Sequence, residues 1–472
     1  MRVLWVCNIM LPVVAQQLGV KGSNKEGWLD GLCRVLLERW EDNAIELHVA
    51  FPVERSRDGY AEEIRFPNGS SLHCYGFYEN VNHAEDYDES LEVTLRRIIE
   101  QVQPEVIHCF GTEYAHSLAV VRCAPFPERV LVGIQGVCGA IAGAYMADLP
   151  LRVQNGRTFR DWLKKDGMQE QQQKFVLRGK REAEILRLAQ NVTGRTAFDR
   201  SYAEERNPHV RYFPMNETLR SCFYEGQWKP EECERHSIFV SQGDYPLKGL
   251  HYMLLAVGKL REKYPDVKVY VAGNSLVRYE TLKDKIKISA YGKYLRRLIE
   301  KYSLQACVQF TGSLTAEEMK ERYLKSHLYV CCSSNENSPN SLGEAMLLGV
   351  PCVAAAVGGI PSLFDDGRDG ILYSGHANPT NILNNTCDTS EKVEETAGTQ
   401  REQNSVEWER DAENQELCRI AQNLYHAVDT MWENPAQMAE FCTNARLHAR
   451  KTHNQEDNYR KMTEIYARIA EQ

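Results

Sequence analysis

Glu336 and Glu344 stand in one short run, Glu336-Asn337-Ser338-Pro339-Asn340-Ser341-Leu342-Gly343-Glu344. Apolar residues flank it, 328–332 before and 345–348 after. Pro339 and Asn340 suit a loop, and Ser341 is of a type that caps helices. On that reading Glu344 lies in the first turn of a helix. Backbone N–H groups there favour a phosphate, and a ribose diol can be held nearby. Glu336, on the loop, would reach a sugar on the far side of a diphosphate. Two carboxylates at this separation mean little alone, because exposed acids are common. The downstream residues give them context: Gly349-Val350-Pro351-Cys352-Val353-Ala354, then Val357-Gly358-Gly359-Ile360-Pro361. That reads as helix, tight turn, strand and glycine loop, and the glycines let backbone approach a ligand closely.

The elements that must position this pair are legible as alternating runs. Residues 3–6, 45–51, 106–110 and 130–134 form short apolar segments that predict buried strands in the first half. In the second half the corresponding segments are 237–241, 267–272, 308–310, 327–332 and 351–355. Helical patterns fall between them at 27–39, 91–102, 249–263, 316–325 and 342–349. Strands alternating with helices predict parallel α/β sheets. The pattern restarts near residue 237, so two doubly wound domains are expected. Their facing carboxyl edges would form the site. The expected division is 1–215, a joining segment 216–236 rich in Pro, Gly and charge, and 237–454. A last helix near 455–472 is expected to pack back on the first domain. Residues 385–416 are acidic and amide-rich with few aliphatics. Such a segment buries too little apolar surface to offset its ordering entropy, so a mobile surface insertion is expected.

Composition narrows the class. Of 472 residues 43% are hydrophobic, enough for a core in each half. There are 56 Lys and Arg against 65 Asp and Glu, a net charge of −9. That balance is ordinary for a cytoplasmic enzyme and argues against a nucleic-acid partner. No run approaches the ~20 apolar residues of a membrane span. The opening Met1-Arg2-Val3-Leu4-Trp5-Val6-Cys7 is a poor signal peptide, since Asn8 and Pro12 break its apolar stretch, and a good first strand. The 15 cysteines include no Cys-x-x-Cys pair, so free buried thiols in a reducing compartment are expected rather than zinc or disulfides. Residues 152–211 carry 14 Lys and Arg against 8 Asp and Glu. This is either a solvated helix pair or a surface for an anionic acceptor or anionic lipid, the latter a peripheral contact at the inner membrane face.

The spacing of Glu336 and Glu344, followed by Ala345-Met346 and Gly349-Val350-Pro351, resembles the Glu-x7-Glu signature of family 4 (group 1) of the retaining glycosyltransferases, which have the GT-B fold. Further matches are Phe310-Thr311-Gly312, Lys248-Gly249 before a helix, Gly358-Gly359-Ile360-Pro361, Asp366-Gly367 and Gly370-Ile371-Leu372. The resemblance implies an α/β GT-B protein: two Rossmann-like domains facing across a cleft, the second binding a nucleoside diphosphate sugar. It implies that Glu344 bonds the ribose hydroxyls. Glu336 would face the transferred sugar and stabilise positive charge near its anomeric carbon. Amides around Asn340, Ser341 and Leu342 would touch the sugar or diphosphate. Lys248 would neutralise the diphosphate as it leaves, a fixed cation lowering the barrier electrostatically. Neither a cofactor nor a metal is expected, and no Asp-x-Asp motif stands where a metal-dependent transferase would need one.

Three positions depart from the family pattern. Gly243 stands on the donor side where an Arg is usual, five residues before Lys248. Arg195 is then a candidate for the second cation. Gly27, followed by Trp28, replaces a pair of glycines on the donor side of the first domain. Gln135 stands where many relatives carry His, and it cannot act as a base. Glu113 and His116 come after another strand and are, with Gln135, candidates for the acceptor side. The expected activity is hexosyl transfer to a carbohydrate or glycolipid hydroxyl, in bacterial surface polysaccharide or glycolipid synthesis. A non-catalytic sugar-nucleotide-binding subunit of a larger transferase is the alternative. An epimerase or hydrolase on the same fold is a third reading.

Overall fold

The computed structural model describes residues 1–20, 27–41, 45–376 and 415–472. Its first sheet is built from β1 (Arg2–Val6), β2 (Glu46–Val53), β3 (Ala61–Arg65), β4 (Ser71–Tyr78), β5 (Val106–Phe110), β6 (Val130–Gly133), β7 (Asn191–Gly194) and β8 (Arg211–Pro214). Their spatial order is β3-β4-β2-β1-β5-β6-β7-β8. Val3, Leu4, Trp5 and Val6 of β1 are fully buried, which is why this strand is continuously apolar rather than alternating. All neighbours pair parallel except β3 with β4. Parallel pairs need crossover connections, and the long helical segments between strands supply them.

The second sheet holds β9 (Glu234–Val240), β10 (Lys268–Val271), β11 (Val308–Phe310), β12 (Ser326–Cys331), β13 (Cys352–Ala355) and β14 (Ile371–Tyr373), in the order β11-β10-β9-β12-β13-β14 and parallel throughout. The expected α/β class with two doubly wound sheets is what forms. In each sheet the chain winds outward from one strand and then returns to its other side. The reversals fall between β1 and β5 and between β9 and β12. Such switch points open a crevice at the carboxyl ends of the strands.

The last helix, Gln455–Ala470, lies against the first sheet. Trp5 Nε1 donates to the Tyr466 hydroxyl at 2.9 Å, and His108 Nδ1 lies 2.7 Å from the same oxygen. Met462, Ile465 and Ile469 share a core with Val3, Trp5 and Phe110. The segment entering the second sheet is packed rather than loose. Trp228 is buried, its indole N–H donating to the Ser326 carbonyl at 2.7 Å, and β9 already begins at Glu234. Of the expected insertion 385–416, residues up to 414 lie outside those described. Gln415 and Glu416 open the helix Gln415–Glu433. The cysteines described are all free.

Candidate active site

Strand β12 is buried along its whole length and delivers the chain into the loop that carries Glu336. Two glycines fix that loop. Gly249 has φ +70°, and a Cβ there would sit 1.8 Å from the Cys332 carbonyl oxygen. Only glycine lets the Lys248-Gly249 turn close against the end of β12. Gly358 has φ +53°, and a Cβ there would meet the Glu336 carbonyl oxygen at 1.9 Å. Gly359 N–H donates to that oxygen at 2.9 Å. The outcome is a short contact between side chains 88 positions apart: Lys248 Nζ donates to Glu336 Oε1 at 2.6 Å. Ser333 Oγ donates to the same oxygen at 2.7 Å. Burial alone would depress the Lys248 ammonium, but the Glu336 carboxylate reverses this and holds it above its usual value.

This pair borders a cavity of about 360 Å³ at the β9/β12 switch point. Val240, Ser241 and Gln242 at the end of β9 form one side, and Ser338, Pro339, Asn340 and Ser341 another. The helix Asn340–Leu348 starts there with no side-chain cap. It begins earlier than the sequence suggests. Pro339 is the capping position, with φ −72°, and its carbonyl accepts from Leu342 N–H at 3.0 Å. The turn therefore closes before Ser341, whose hydroxyl instead accepts from the Tyr329 hydroxyl at 2.8 Å. Glu344 consequently falls in the second turn, not the first. Asn340 Oδ1 is buried and meets no protein hydrogen-bond partner. Leu342 turns its side chain into the core.

Glu344 is buried, and both its oxygens meet the Arg220 guanidinium, at 2.7 and 2.8 Å. Burial pushes its carboxyl above the usual range, with Arg220 opposing. Gly243 faces the core: a Cβ there would be 2.7 Å from Leu250 Cδ2 and 3.0 Å from Val271 Cγ1. A cationic side chain has no room at this position, so a donor contact there is limited to its backbone. The backbone of Gly27 opens the helix Gly27–Glu38, while residues 21–26 before it lie outside those described.

The first-domain candidates are placed unequally. The Arg195 side chain is buried, ion-paired with Glu217, and donates to the Ile134 carbonyl at 2.9 Å and the Gln135 carbonyl at 3.2 Å. Its charge is used in holding the joining segment to the first sheet. The Gln135 carbonyl also accepts from Asn337 Nδ2 at 2.8 Å, and Asn337 Oδ1 accepts from Thr196 Oγ1 at 2.8 Å. Asn337 thus ties the Glu336 loop to the first domain. Glu113, half-buried, accepts from Gly136 N–H at 2.7 Å. His116 lies inside the first domain. It is fully buried, with Nδ1 2.6 Å from Glu79 Oε2, and lies in the core rather than on an acceptor-facing surface.

A larger cleft of about 790 Å³ runs between the domains. Tyr114, Tyr145, Phe175 and Arg178 line it from one side, Asp244 and Tyr245 from the other. The Tyr245 ring also lies 5.9 Å from Lys248 Nζ, so this cleft adjoins the ion pair. Sequence reasoning missed Arg220, Thr196 and these aromatics. No local motif marks them, because their partners lie far away along the chain. Among the described residues, two groups of side chains come close enough to share a metal ion: Glu46 with His48 and His73, and Asp365 with Asp369 and His448. Neither includes a residue lining the two cavities.

Residues 225–386 match the family model of the glycosyl transferases group 1. This bears out the resemblance read from the Glu336–Glu344 motif. A D-inositol 3-phosphate glycosyltransferase of Corynebacterium kroppenstedtii is 29% identical over 154 residues, 31% of each chain. Spore coat protein SA of Bacillus subtilis is 26% identical over 174 residues, 36% of this chain and 44% of that protein. The chain thus spans about a third of the length of the first of these curated relatives. Likeness of fold extends further. Sucrose-phosphate synthase from Thermosynechococcus elongatus superposes with a TM-score of 0.62 over 99% of both chains at 14% identity. Anabaena HepE in complex with UDP does so with a TM-score of 0.58 over 99% of this chain and 100% of that one, at 12% identity. The fold is therefore GT-B.

Proposed function

We propose that this protein is a retaining glycosyltransferase. It would move a hexosyl unit from a nucleoside diphosphate sugar to a hydroxyl of a carbohydrate or glycolipid. The observation that carries this reading is the Lys248–Glu336 pair beside an uncapped helix start at the β9/β12 switch point. The helix start favours the diphosphate. Lys248 supplies the fixed positive charge that the departing diphosphate needs, so the reading requires no metal or cofactor. Glu336 faces the sugar and offsets positive charge at the anomeric carbon. Each oxygen of Glu344 keeps a lone pair beyond its Arg220 bond, which suits a ribose diol. Asn340 Oδ1 offers an acceptor to a sugar hydroxyl. In the transfer the bond from the anomeric carbon to the diphosphate oxygen breaks, the diphosphate leaving with the electron pair. The acceptor oxygen bonds to that carbon on the same face. With Gln135 unable to act as a base, the acceptor proton passes to the departing phosphate oxygen.

The UDP in the HepE complex supports a uridine nucleotide as the first donor to try. The setting we propose is cytoplasmic synthesis of bacterial surface polysaccharide or glycolipid. A panel of labelled nucleotide sugars, with and without acceptors, tests the activity. Transfer or slow donor hydrolysis is expected with at least one donor, and its loss in Glu336→Ala. No turnover with any donor, alongside nucleotide binding by calorimetry, would favour the non-catalytic subunit instead. One observation favours that second reading: among the described residues, Lys248 is the only Lys or Arg lining the smaller cavity.

A further inference from the structure

Three short helices, Leu151–Gln154, Phe159–Lys164 and Leu282–Lys287, carry apolar side chains where solvent would be. On the helix Phe159–Lys164, the residues Phe159, Trp162 and Leu163 occupy the i, i+3, i+4 positions that usually face a core. Here they are exposed, Trp162 by 63% and Leu163 by 64%, and the rings of Phe159 and Trp162 lie 6.0 Å apart. On the helix Leu282–Lys287, Leu282 and Ile286 repeat the pattern at i and i+4. Leu282 at 79% and Leu151 at 73% are the two most exposed large apolar side chains among the described residues.

These elements come from both domains and meet. The helix Leu282–Lys287 packs against Phe159–Lys164. Asp161 Oδ2 accepts from Ala290 N–H at 2.8 Å, tying the first-domain helix to the chain just beyond Leu282–Lys287. Charge surrounds the apolar residues. Arg152, Lys164 and Lys165 on one side, and Lys283, Lys285 and Lys287 on the other, are exposed, in a chain whose net charge is −9. The acids on the two paired helices are engaged: Asp161 is buried, and Asp284 accepts from Thr281 at the helix start. Aromatic and aliphatic residues ringed by lysines match the boundary of a bilayer bearing anionic headgroups.

We infer that this surface docks the protein on an anionic membrane, through Phe159, Trp162, Leu163, Leu282 and Ile286 with the surrounding lysines. Among the described residues no helix is long and apolar enough to cross a membrane, so the contact is peripheral. It narrows the membrane-facing part of the basic stretch 152–211 to its amino-terminal end and adds a helix from the second domain. The long helix Met168–Leu188 within that stretch packs on other helices of the first domain. Arg160, Asp161, Asp284 and Lys287 line the larger cleft as well, so its mouth opens beside the docking surface.

Vesicle sedimentation of the full chain tests this independently of any transfer activity. Vesicles of phosphatidylcholine with phosphatidylglycerol should pellet the protein, and pure phosphatidylcholine vesicles should do so at least tenfold less well. Raised salt should weaken the binding. Trp162→Ser with Leu163→Ser should reduce it at least tenfold, and Lys283→Glu with Lys285→Glu comparably. All four side chains are exposed, so an unchanged melting temperature is expected and separates lost docking from lost fold. Absence of binding, equal binding to both vesicle types, or undiminished binding by folded variants would overturn the inference. Trp162-dependent self-association in ultracentrifugation without vesicle binding would do the same, assigning the surface to a second copy.

Discussion

Arg220 holds Glu344 by two parallel hydrogen bonds, Nε to Oε1 at 2.7 Å and Nη2 to Oε2 at 2.8 Å, although the residues lie 124 positions apart. The arginine sits on the segment joining the two sheets, so the orientation of this glutamate depends on how the domains connect. Bidentate geometry of this kind fixes a carboxylate in direction as well as charge.

Replacing Arg220 by Met leaves a buried carboxyl without its counter-charge. Such losses cost about 3–5 kcal/mol. Burial already raises the Glu344 carboxyl, with Arg220 opposing, so the variant's Glu344 would bind its proton more tightly still. A raised folded-state pKa gives a contribution present at low pH and lost as pH rises through it. Urea unfolding at pH 5 and pH 8 should therefore show the larger deficit at pH 8, with weaker nucleotide binding in calorimetry.

Lys248 and Glu336 should behave as one unit. Lys248→Gln and Glu336→Gln are each expected to lower kcat by about 10²–10³. The double variant should be little worse than the poorer single one, because groups that act together are not additive. Steady-state kinetics on whichever donor proves active measures this; strictly additive losses would argue for separate roles.

Gly249→Ala should be severe. Its φ of +70° costs a Cβ-bearing residue about 1–2 kcal/mol, and the clash with the Cys332 carbonyl adds to that. Calorimetric melting should show a clear fall. Gly367→Ala, also at positive φ but with nothing within 4 Å, should lose only the conformational part.

His448 gives a second dependence on pH. Its Nδ1 lies 2.6 Å from Asp369 Oδ2, and that bond raises its pKa above the usual 6.5. Its stabilising contribution should be complete below 6.5 and vanish as pH climbs through the raised value. Stability of the wild type relative to His448→Gln, followed from about pH 6 to about pH 9, should converge at the alkaline end.

The strands around both switch points could be read from sequence because burial on both faces leaves continuous apolar runs, as at Val106–Phe110 and Cys352–Ala355. Edge strands and very short strands could not. In β3 only Ile64 is buried, and β7 and β8 are four residues each, too short to show a period. The same contrast holds at the site. Glu336 and Lys248 were visible because glycines that tolerate close approach stand beside them. Arg220 was not, since a single arginine in a charged joining segment looks like any solvated one. The burial of His116 was not legible because its partner, Glu79, lies on a different segment and only the fold brings them together. The start of the helix Asn340–Leu348 was displaced because Pro339 can occupy the capping position without a side-chain hydrogen bond.

The helix Gln455–Ala470 sets an order on biosynthesis. A chain leaves the ribosome from its amino end, and domains usually fold as they emerge. Here the core around Trp5 and His108 is closed by Tyr466. The first domain must therefore wait, with one face of its sheet uncovered, until the helix Gln455–Ala470 has been made. The second domain, which lies between those two parts, is free to fold before the first is complete. Chaperone dependence during synthesis should accordingly track the length of that wait, and a nascent chain stalled before residue 455 should expose the apolar face that the finished protein conceals.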